Sequence, residues 1–132
     1  MSDHTEGLPP GRIPVLRVPA TPANTNSGGD IFGGWIMGEV DIAGAVPAVL
    51  RARGRVVTVA VNRMTFLSPV HVGDMLSLYA EVTRIGHTSL TVDVEVYAQR
   101  NPVAPQCVKV SEAQLVYVAV DNDGKPRPVP SA

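Results

Sequence analysis

The chain is best understood from one stretch, Asn26-Ser-Gly-Gly-Asp-Ile-Phe-Gly33-Gly34-Trp-Ile-Met-Gly-Glu-Val-Asp41. It is a polar, glycine-rich loop that runs into an apolar helix, with Asp41 about two turns into that helix. The start of a helix has unpaired backbone N–H groups and a partial positive charge, which suit an oxyanion. A carboxylate further along suits a general base or a nucleophile. The stretch therefore indicates hydrolytic chemistry on a carbonyl substrate.

The apolar pattern around this stretch predicts one long helix, from Gly33 to Arg51. Asp30 is a candidate N-cap, and Gly54 lies just past the predicted end. Pro47 is expected to kink the last turn or to end the regular helix early. Because most of the helix surface is apolar, we expect the helix to be buried.

The remainder of the chain is predicted to be almost entirely strand. The predicted strands are Ile13–Val18, Arg55–Phe66, Met75–Ile85, Thr88–Ala98 and Val108–Val120. The third and fourth alternate apolar and polar residues, which is typical of antiparallel strands with one buried face. Pro14 and Pro19 place the first strand at an edge. A tight turn is expected over residues 85–88, and a bulge near Glu112–Leu115.

These elements predict an α+β fold, in which an antiparallel sheet of about five strands wraps around one long central helix. The far side of the helix then needs cover, so we expect an obligate homo-oligomer. Residues 1–12 are predicted to be a mobile segment and residues 13–130 a single domain. The proline-rich tail that follows the turn at Asp121–Gly124 is predicted to have no fixed position on the domain.

Composition excludes several classes of protein. The 132 residues carry a net charge of −1, with 45% hydrophobic and 17% charged residues, which gives no sign of a nucleic-acid or anionic-membrane partner. A lone Cys107 excludes an internal disulfide and favours a reducing compartment, and we expect it to be buried. No signal-peptide pattern is present, and Glu39, Asp41 and Pro47 argue against a membrane span. A cytoplasmic location is expected.

Asp41 is the first candidate for chemistry. At helical spacing it shares a stripe with Gly34, Gly38 and Ala45, and such small side chains leave room for a substrate. The alternative is a carboxylate that only bonds a neighbouring loop or subunit.

Asn26, Gly33 and Gly34 form the second candidate group. The Asn26 amide could orient a water molecule or a carbonyl group, although Asn is also common in ordinary turns. The two glycines could let a ligand approach the backbone N–H groups, or could simply make the loop flexible. The sequence lacks a nucleophile elbow, a phosphate-binding glycine loop and metal-ligand spacing.

The run Asn26-x-x-Gly29-Asp30-Ile31-Phe32-Gly33-Gly34-Trp35-Ile36-Met37-x-x-x-Asp41-x-x-Gly44 resembles the signature of hotdog-fold acyl-CoA thioesterases. It is most similar to the bacterial YciA type, which is related to the cytosolic acyl-CoA hydrolases. The similarity extends through Arg55–Val61, Phe66–Asp74 and Val116–Asp121. The resemblance departs from the family at Pro47 and Asn62, which bears on substrate preference.

The resemblance implies hydrolysis of an acyl-CoA thioester to a free acid and CoA, with no cofactor and no metal ion. It implies that Asp41 is the general base or nucleophile, and that Asn26 positions water or substrate. It also implies that the backbone N–H of Gly33 or Gly34 polarises the thioester carbonyl.

The resemblance further implies that the site lies at a dimer interface, so that Asp41 would face Asn26 and Gly33 of the partner subunit. The assembly would be a homodimer or a larger assembly of dimers, such as a tetramer or hexamer. Arg84, His87 and Ser89, in one predicted hairpin, are the expected contacts of the CoA phosphates.

Two alternatives remain open at this point. One is a non-catalytic hotdog module that binds acyl-CoA. The other is a hotdog hydratase or dehydratase, which would use a catalytic histidine, whereas this sequence has Phe32 before the glycine pair.

Overall fold

A computed structural model describes residues 4–5 and 7–132 of the chain. Within these residues there are six strands and one long helix, in keeping with the predicted fold class. The helix, α1, spans Gly33–Ala52, and a short 3₁₀ turn spans Pro22–Asn24. The strands are β1 (His4–Thr5), β2 (Leu16–Pro19), β3 (Val56–Phe66), β4 (Met75–Ile85), β5 (Ser89–Arg100) and β6 (Gln106–Ala119).

The strands form one antiparallel sheet in the order β2-β4-β5-β6, and the second edge of β6 is shared by β1 and β3. β2 lies at an edge, as predicted, but it begins at Leu16 and therefore contains Pro19 and not Pro14. β3 is an edge strand too, because within the described residues it pairs only with β6. The predicted turn between β4 and β5 is confirmed, since the Gly86 N–H donates to the Ser89 carbonyl at 2.8 Å.

α1 packs against β3, β4, β5 and β6, and this contact forms the core. One face of the helix is buried, and its buried residues are Ile36, Val40, Ala43, Gly44, Ala48 and Ala52. The alternation predicted for β5 is confirmed, because Leu90, Val92, Val94 and Val96 are at most 1% exposed. By length and hydropathy α1 could span a membrane, but its packing on the sheet is that of a core helix.

Two expectations about α1 need correction, and a kink at Pro47 stays a prediction. Its N-cap is Phe32, without a side-chain cap, so Asp30 does not cap the helix. The helix does not end early at Pro47 but continues to Ala52, because tertiary packing of its buried face outweighs one lost hydrogen bond. The helix closes with Arg53 in the left-handed region at φ 54°, and the Gly54 N–H donates to the Val49 carbonyl.

The prediction that the carboxy-terminal tail has no fixed position is wrong. The Arg127 N–H bonds the Ala119 carbonyl, and the Val129 N–H bonds the His87 carbonyl. The guanidinium of Arg127 also donates to the Ala52 carbonyl at 2.9 Å, at the end of α1. The proline content predicts a loose tail, whereas the Arg127 side chain, which satisfies an unpaired carbonyl at the end of α1, holds the tail in place.

The amino-terminal segment contains β1, which pairs with β6 at Val108 and Cys107. Met1, Ser2, Asp3 and Glu6 lie outside the described residues. The mobility of residues 1–12 and the domain limits 13–130 stay predictions.

The irregularity predicted near Glu112–Leu115 is confirmed opposite Gln114 and Leu115, and further register shifts lie on each side of that stretch. Val110 is the extra residue of β6 against β5. Val59 and Asn62 are extra residues of β3, opposite the part of β6 from 114 to 117. Such bulges bend a strand and redirect neighbouring side chains.

Candidate active site

The Asp41 carboxylate is held at one oxygen and open at the other. Its Oδ1 accepts a hydrogen bond from Thr58 Oγ1 at 2.6 Å and a second from the Tyr117 hydroxyl at 3.1 Å. Oδ2 has no hydrogen-bond partner among the described residues, and the side chain is half-buried. An oriented carboxylate with a free oxygen can accept a proton or attack a carbonyl carbon.

Thr58 and Tyr117 are site residues that the local sequence pattern does not predict. They face each other directly across β3 and β6, so their side chains rise from the same face of the sheet towards α1. Threonine and tyrosine are ordinary strand residues, and only the register of the two strands reveals that they converge. The bulge at Val59 comes immediately after Thr58.

Tyr117 is a neutral hydrogen-bond donor at ordinary pH. The side chain is 1% exposed, and burial, followed by the negative charge and hydrogen bond of Asp41, raises the pKa of its hydroxyl. The one proton of this hydroxyl is shared with the Asp41 backbone carbonyl, which lies nearer, at 2.7 Å. Tyr117 therefore ties α1 to β6 at the position of the carboxylate.

Asn26 and Gly33 lie together at a second place, in a cavity of about 360 Å³. Its wall includes Ile36, Phe66 and the loop residues 67–70. Asn26 Oδ1 accepts hydrogen bonds from the N–H groups of Gly28 and Asp30, at 2.9 and 3.2 Å. The carbonyl end of the Asn26 amide thus shapes the loop, and the NH₂ end is the group that can meet a ligand.

The start of α1 offers backbone donors at this cavity. The N–H groups of Gly33 and Gly34 have no acceptor among the described residues, and Phe32 supplies no cap. A Cβ at Gly33 would approach the Phe66 ring to 3.2 Å, whereas a Cβ at Gly34 would meet nothing within 4 Å. The helix start is therefore accessible to an anionic or partly anionic oxygen.

A single protomer keeps these two places apart. Gly33 and Asp41 are eight residues apart on one helix, which corresponds to about 12 Å along its axis. The cavity that holds Asn26 and Gly33 has no contribution from Asp41. The structure brings Asn26, Gly33 and Gly34 together, but it does not bring Asp41 to them within one chain.

A buried ion pair holds the loop that walls the cavity. Asp74 is 2% exposed, and its Oδ2 accepts from Arg100 Nη2 at 2.8 Å and from the His71 N–H at 2.9 Å. Arg100 also bonds the Pro69 carbonyl at 3.1 Å. The Ile31 N–H bonds the Val70 carbonyl, which connects this loop to the residues before α1.

Arg84, His87 and Ser89 lie at the β4–β5 hairpin, where Arg84 and His87 are exposed. The His87 carbonyl accepts the Val129 N–H from the docked tail. All three residues lie in this one hairpin, and their role as phosphate contacts stays a prediction. Among the residues that the structure describes, no group of three or more His, Cys, Asp or Glu could hold a metal ion.

Comparison with known proteins identifies related sequences and structures. Residues 28–104 match the family model of the thioesterase superfamily. The chain is similar to the acyl-CoA thioester hydrolase YciA of Salmonella typhimurium, with 50% identity over 127 residues and 95% of each chain covered. It is also similar to the crystal structure of a hexameric hotdog fold thioesterase of Campylobacter jejuni, at 42% identity and a TM-score of 0.85, over 89% of this chain and 90% of that chain.

A third similar protein is an acyl-CoA hydrolase from Staphylococcus aureus, solved in complex with butyryl coenzyme A and coenzyme A. It is 30% identical, with a TM-score of 0.80, over 88% of this chain and 70% of that chain. Variants of it were also solved, one with an aspartate and one with a threonine changed to alanine. Those two positions are 17 residues apart, as Asp41 and Thr58 are.

Proposed function

The chain belongs to the thioesterase superfamily, and we propose that Asp41 is the residue through which it hydrolyses acyl-CoA thioesters to a free acid and CoA. The observation that carries the proposal is the state of that carboxylate. Two hydroxyl donors hold Oδ1, and Oδ2 is left open on a side chain that is only half-buried.

The residues fit a general-base reaction. Asp41 Oδ2 takes a proton from water while the water oxygen attacks the thioester carbonyl carbon. The negative charge that develops on the carbonyl oxygen is stabilised by the N–H groups of Gly33 and Gly34. When the C–S bond breaks, the proton held by Asp41 passes to the departing CoA sulfur. Direct attack by Asp41, followed by hydrolysis of the anhydride, uses the same groups.

We propose that two chains complete each site. The oxyanion donors and the carboxylate must both reach one thioester, whereas about 12 Å of helix separates them within a chain. Asp41 would act on a carbonyl held by Asn26 and Gly33 of the partner subunit. Exposed apolar side chains on the outer face of α1, such as Ile42 and Leu50, agree with burial in a homo-oligomer.

The assembly is proposed to be built from dimers, and a hexamer is favoured because the similar Campylobacter jejuni thioesterase is hexameric. The CoA phosphates are proposed to contact the hairpin through Arg84, His87 and Ser89. We propose no cofactor for this chemistry, because water supplies the proton that Asp41 passes to the CoA sulfur. We propose a cytoplasmic location, in keeping with the lone Cys107.

Changing Asp41 to Asn or Ala tests the assignment. We expect thiol release from a panel of short- to long-chain acyl-CoAs to fall by about 10²–10⁴-fold, because the proton acceptor is lost. Circular dichroism should show that the fold is retained. The matched control is Glu39→Gln, which removes a carboxylate two residues away on the same helix and should leave thiol release unchanged.

Full activity of Asp41→Asn would reject the role of Asp41. Tight acyl-CoA binding by the unaltered protein without thiol release would instead favour the non-catalytic binding module.

A further inference from the structure

The Tyr117 hydroxyl makes two contacts with the same residue. Its single proton is shared in a bifurcated hydrogen bond between the backbone carbonyl of Asp41 at 2.7 Å and the carboxylate Oδ1 at 3.1 Å. A group that contacts both the main chain and the side chain of one residue restricts the torsion angles between them. Thr58 donates a hydrogen bond to the same Oδ1 at 2.6 Å, so both hydroxyl groups restrain one carboxylate oxygen.

Tyr117 itself is rigidly placed. It lies inside β6, between its partners Leu90 on β5 and Thr58 on β3, and it is 1% exposed. A buried side chain with a fixed backbone loses little when it forms a hydrogen bond, because its rotamer is already set. The position of its hydroxyl is therefore determined by the sheet rather than by the helix.

Gly44 gives the hydroxyl its space. A Cβ at Gly44 would collide with the Tyr117 hydroxyl and would approach its Cζ to 3.1 Å. Gly44 lies one turn after Asp41 on the same face of α1, so the absence of a side chain there lets Tyr117 reach the carboxylate. Glycine in a helix interior lowers stability relative to alanine. A glycine at position 44 therefore indicates that the space for the Tyr117 hydroxyl is required.

We propose that Tyr117 is a positioning residue for hydrolysis, which holds Asp41 Oδ1 together with Thr58 so that Oδ2 meets the attacking water. The proposal rests on the proposed role of Asp41. It assigns Tyr117 no contact with substrate: the residue acts through the orientation of the carboxylate. A misplaced base loses rate even when binding is intact.

Tyr117→Phe is the direct test, because it removes only the hydroxyl. We expect kcat to fall about tenfold, with KM for the same acyl-CoA within about twofold of the unaltered protein. The matched control is Tyr97→Phe, which removes a hydroxyl that bonds Glu95 Oε2 at 3.0 Å, on a tyrosine that is 8% exposed. Tyr97→Phe should lower the melting temperature by a similar amount and leave kcat unchanged.

A second variant keeps the test decisive if Tyr117→Phe does not fold. A ring-fluorinated tyrosine, placed at position 117 by an expanded genetic code, keeps the ring and the hydroxyl. Fluorine also makes the phenol more acidic, so we expect kcat to be retained at neutral pH and to fall at a lower alkaline pH than in the unaltered protein, because an ionised phenol cannot donate to Asp41. A pH dependence of kcat identical to that of the unaltered protein, with the fold intact by circular dichroism, would overturn the proposal.

The outcomes distinguish failure of the proposed function from failure of the inference about Tyr117 alone. If the unaltered protein releases no thiol, or Asp41→Asn is fully active, the proposed function fails. If those two behave as expected but Tyr117→Phe keeps the full kcat and loses only stability, Tyr117 is a structural anchor and the inference alone fails.

Discussion

At the scale of single residues, the space beside Gly44 matters both for the packing of α1 on the sheet and for the contact of the Tyr117 hydroxyl with Asp41. A methyl group there would meet the Tyr117 hydroxyl. We expect Gly44→Ala to lower the free energy of unfolding by about 1–3 kcal/mol through overpacking. It should also lower kcat, because the displaced hydroxyl no longer holds Asp41.

Chemical denaturation of a double-mutant cycle checks this explanation. Tyr117→Phe removes the nearest colliding atom, so Gly44→Ala should cost less stability in the Tyr117→Phe background than in the unaltered protein. Equal costs in both backgrounds would mean that the collision does not cause the destabilisation.

The residues of the site differ in how far the sequence alone could predict them. Asp41 and the glycine pair stand out locally, as a charge in an apolar helix and as a break at its start. Thr58 and Tyr117 lie 17 and 76 residues from Asp41 and converge only through strand register. Register depends on tertiary packing, which local composition does not encode.

At the scale of elements, the loop of residues 67–74 depends on its buried ion pair. Arg100→Met keeps an aliphatic chain but leaves the Asp74 carboxylate without its charge partner at 2% exposure. Removing one partner of a buried pair typically costs about 3–5 kcal/mol. We expect that loss in chemical denaturation, together with weaker substrate binding, since the loop walls the cavity that holds Asn26.

The matched control is Arg12→Met, whose ion pair with Glu95 is about one-third exposed on both sides. Exposed pairs contribute about 0–1 kcal/mol, so this variant should be nearly as stable as the unaltered protein. Equal losses of unfolding free energy in the two variants would show that burial of the Asp74 pair does not cause the loss in Arg100→Met.

The elements themselves were largely predictable. The limits of β4 are those predicted from its period-two alternation, and α1 extends one residue beyond its predicted end. The docking of the tail is not predictable from the sequence, because the hydrogen bonds that hold it are long-range. Arg127 donates to a carbonyl at the end of α1, and Arg51 donates to the Pro130 carbonyl. A proline-rich composition describes the local chain and carries no information about such contacts.

At the scale of the whole molecule, the shared site makes a prediction about mixed oligomers. Asp41→Ala and Asn26→Ala should each be inactive as pure proteins. In a mixed dimer one site carries both changes and the other carries neither. Co-expression of equal amounts of the two variants should therefore restore about a quarter of the unaltered activity.

The control is co-expression of Asp41→Ala with Asp41→Asn, which cannot rebuild any site. Thiol release that stays at the level of the pure variants in the first mixture would mean that each chain contains a complete site.

The free edge of β3 has a consequence for handling the protein. Its exposed side chains include Val59 and Val61, and the strand runs for 11 residues with one side of its backbone unpaired within the described chain. Long apolar edges of this kind are templates for uncontrolled strand addition between molecules. Dissociated protomers would therefore precipitate rather than persist as soluble monomers, so dilute stocks should lose protein to aggregates faster than concentrated ones.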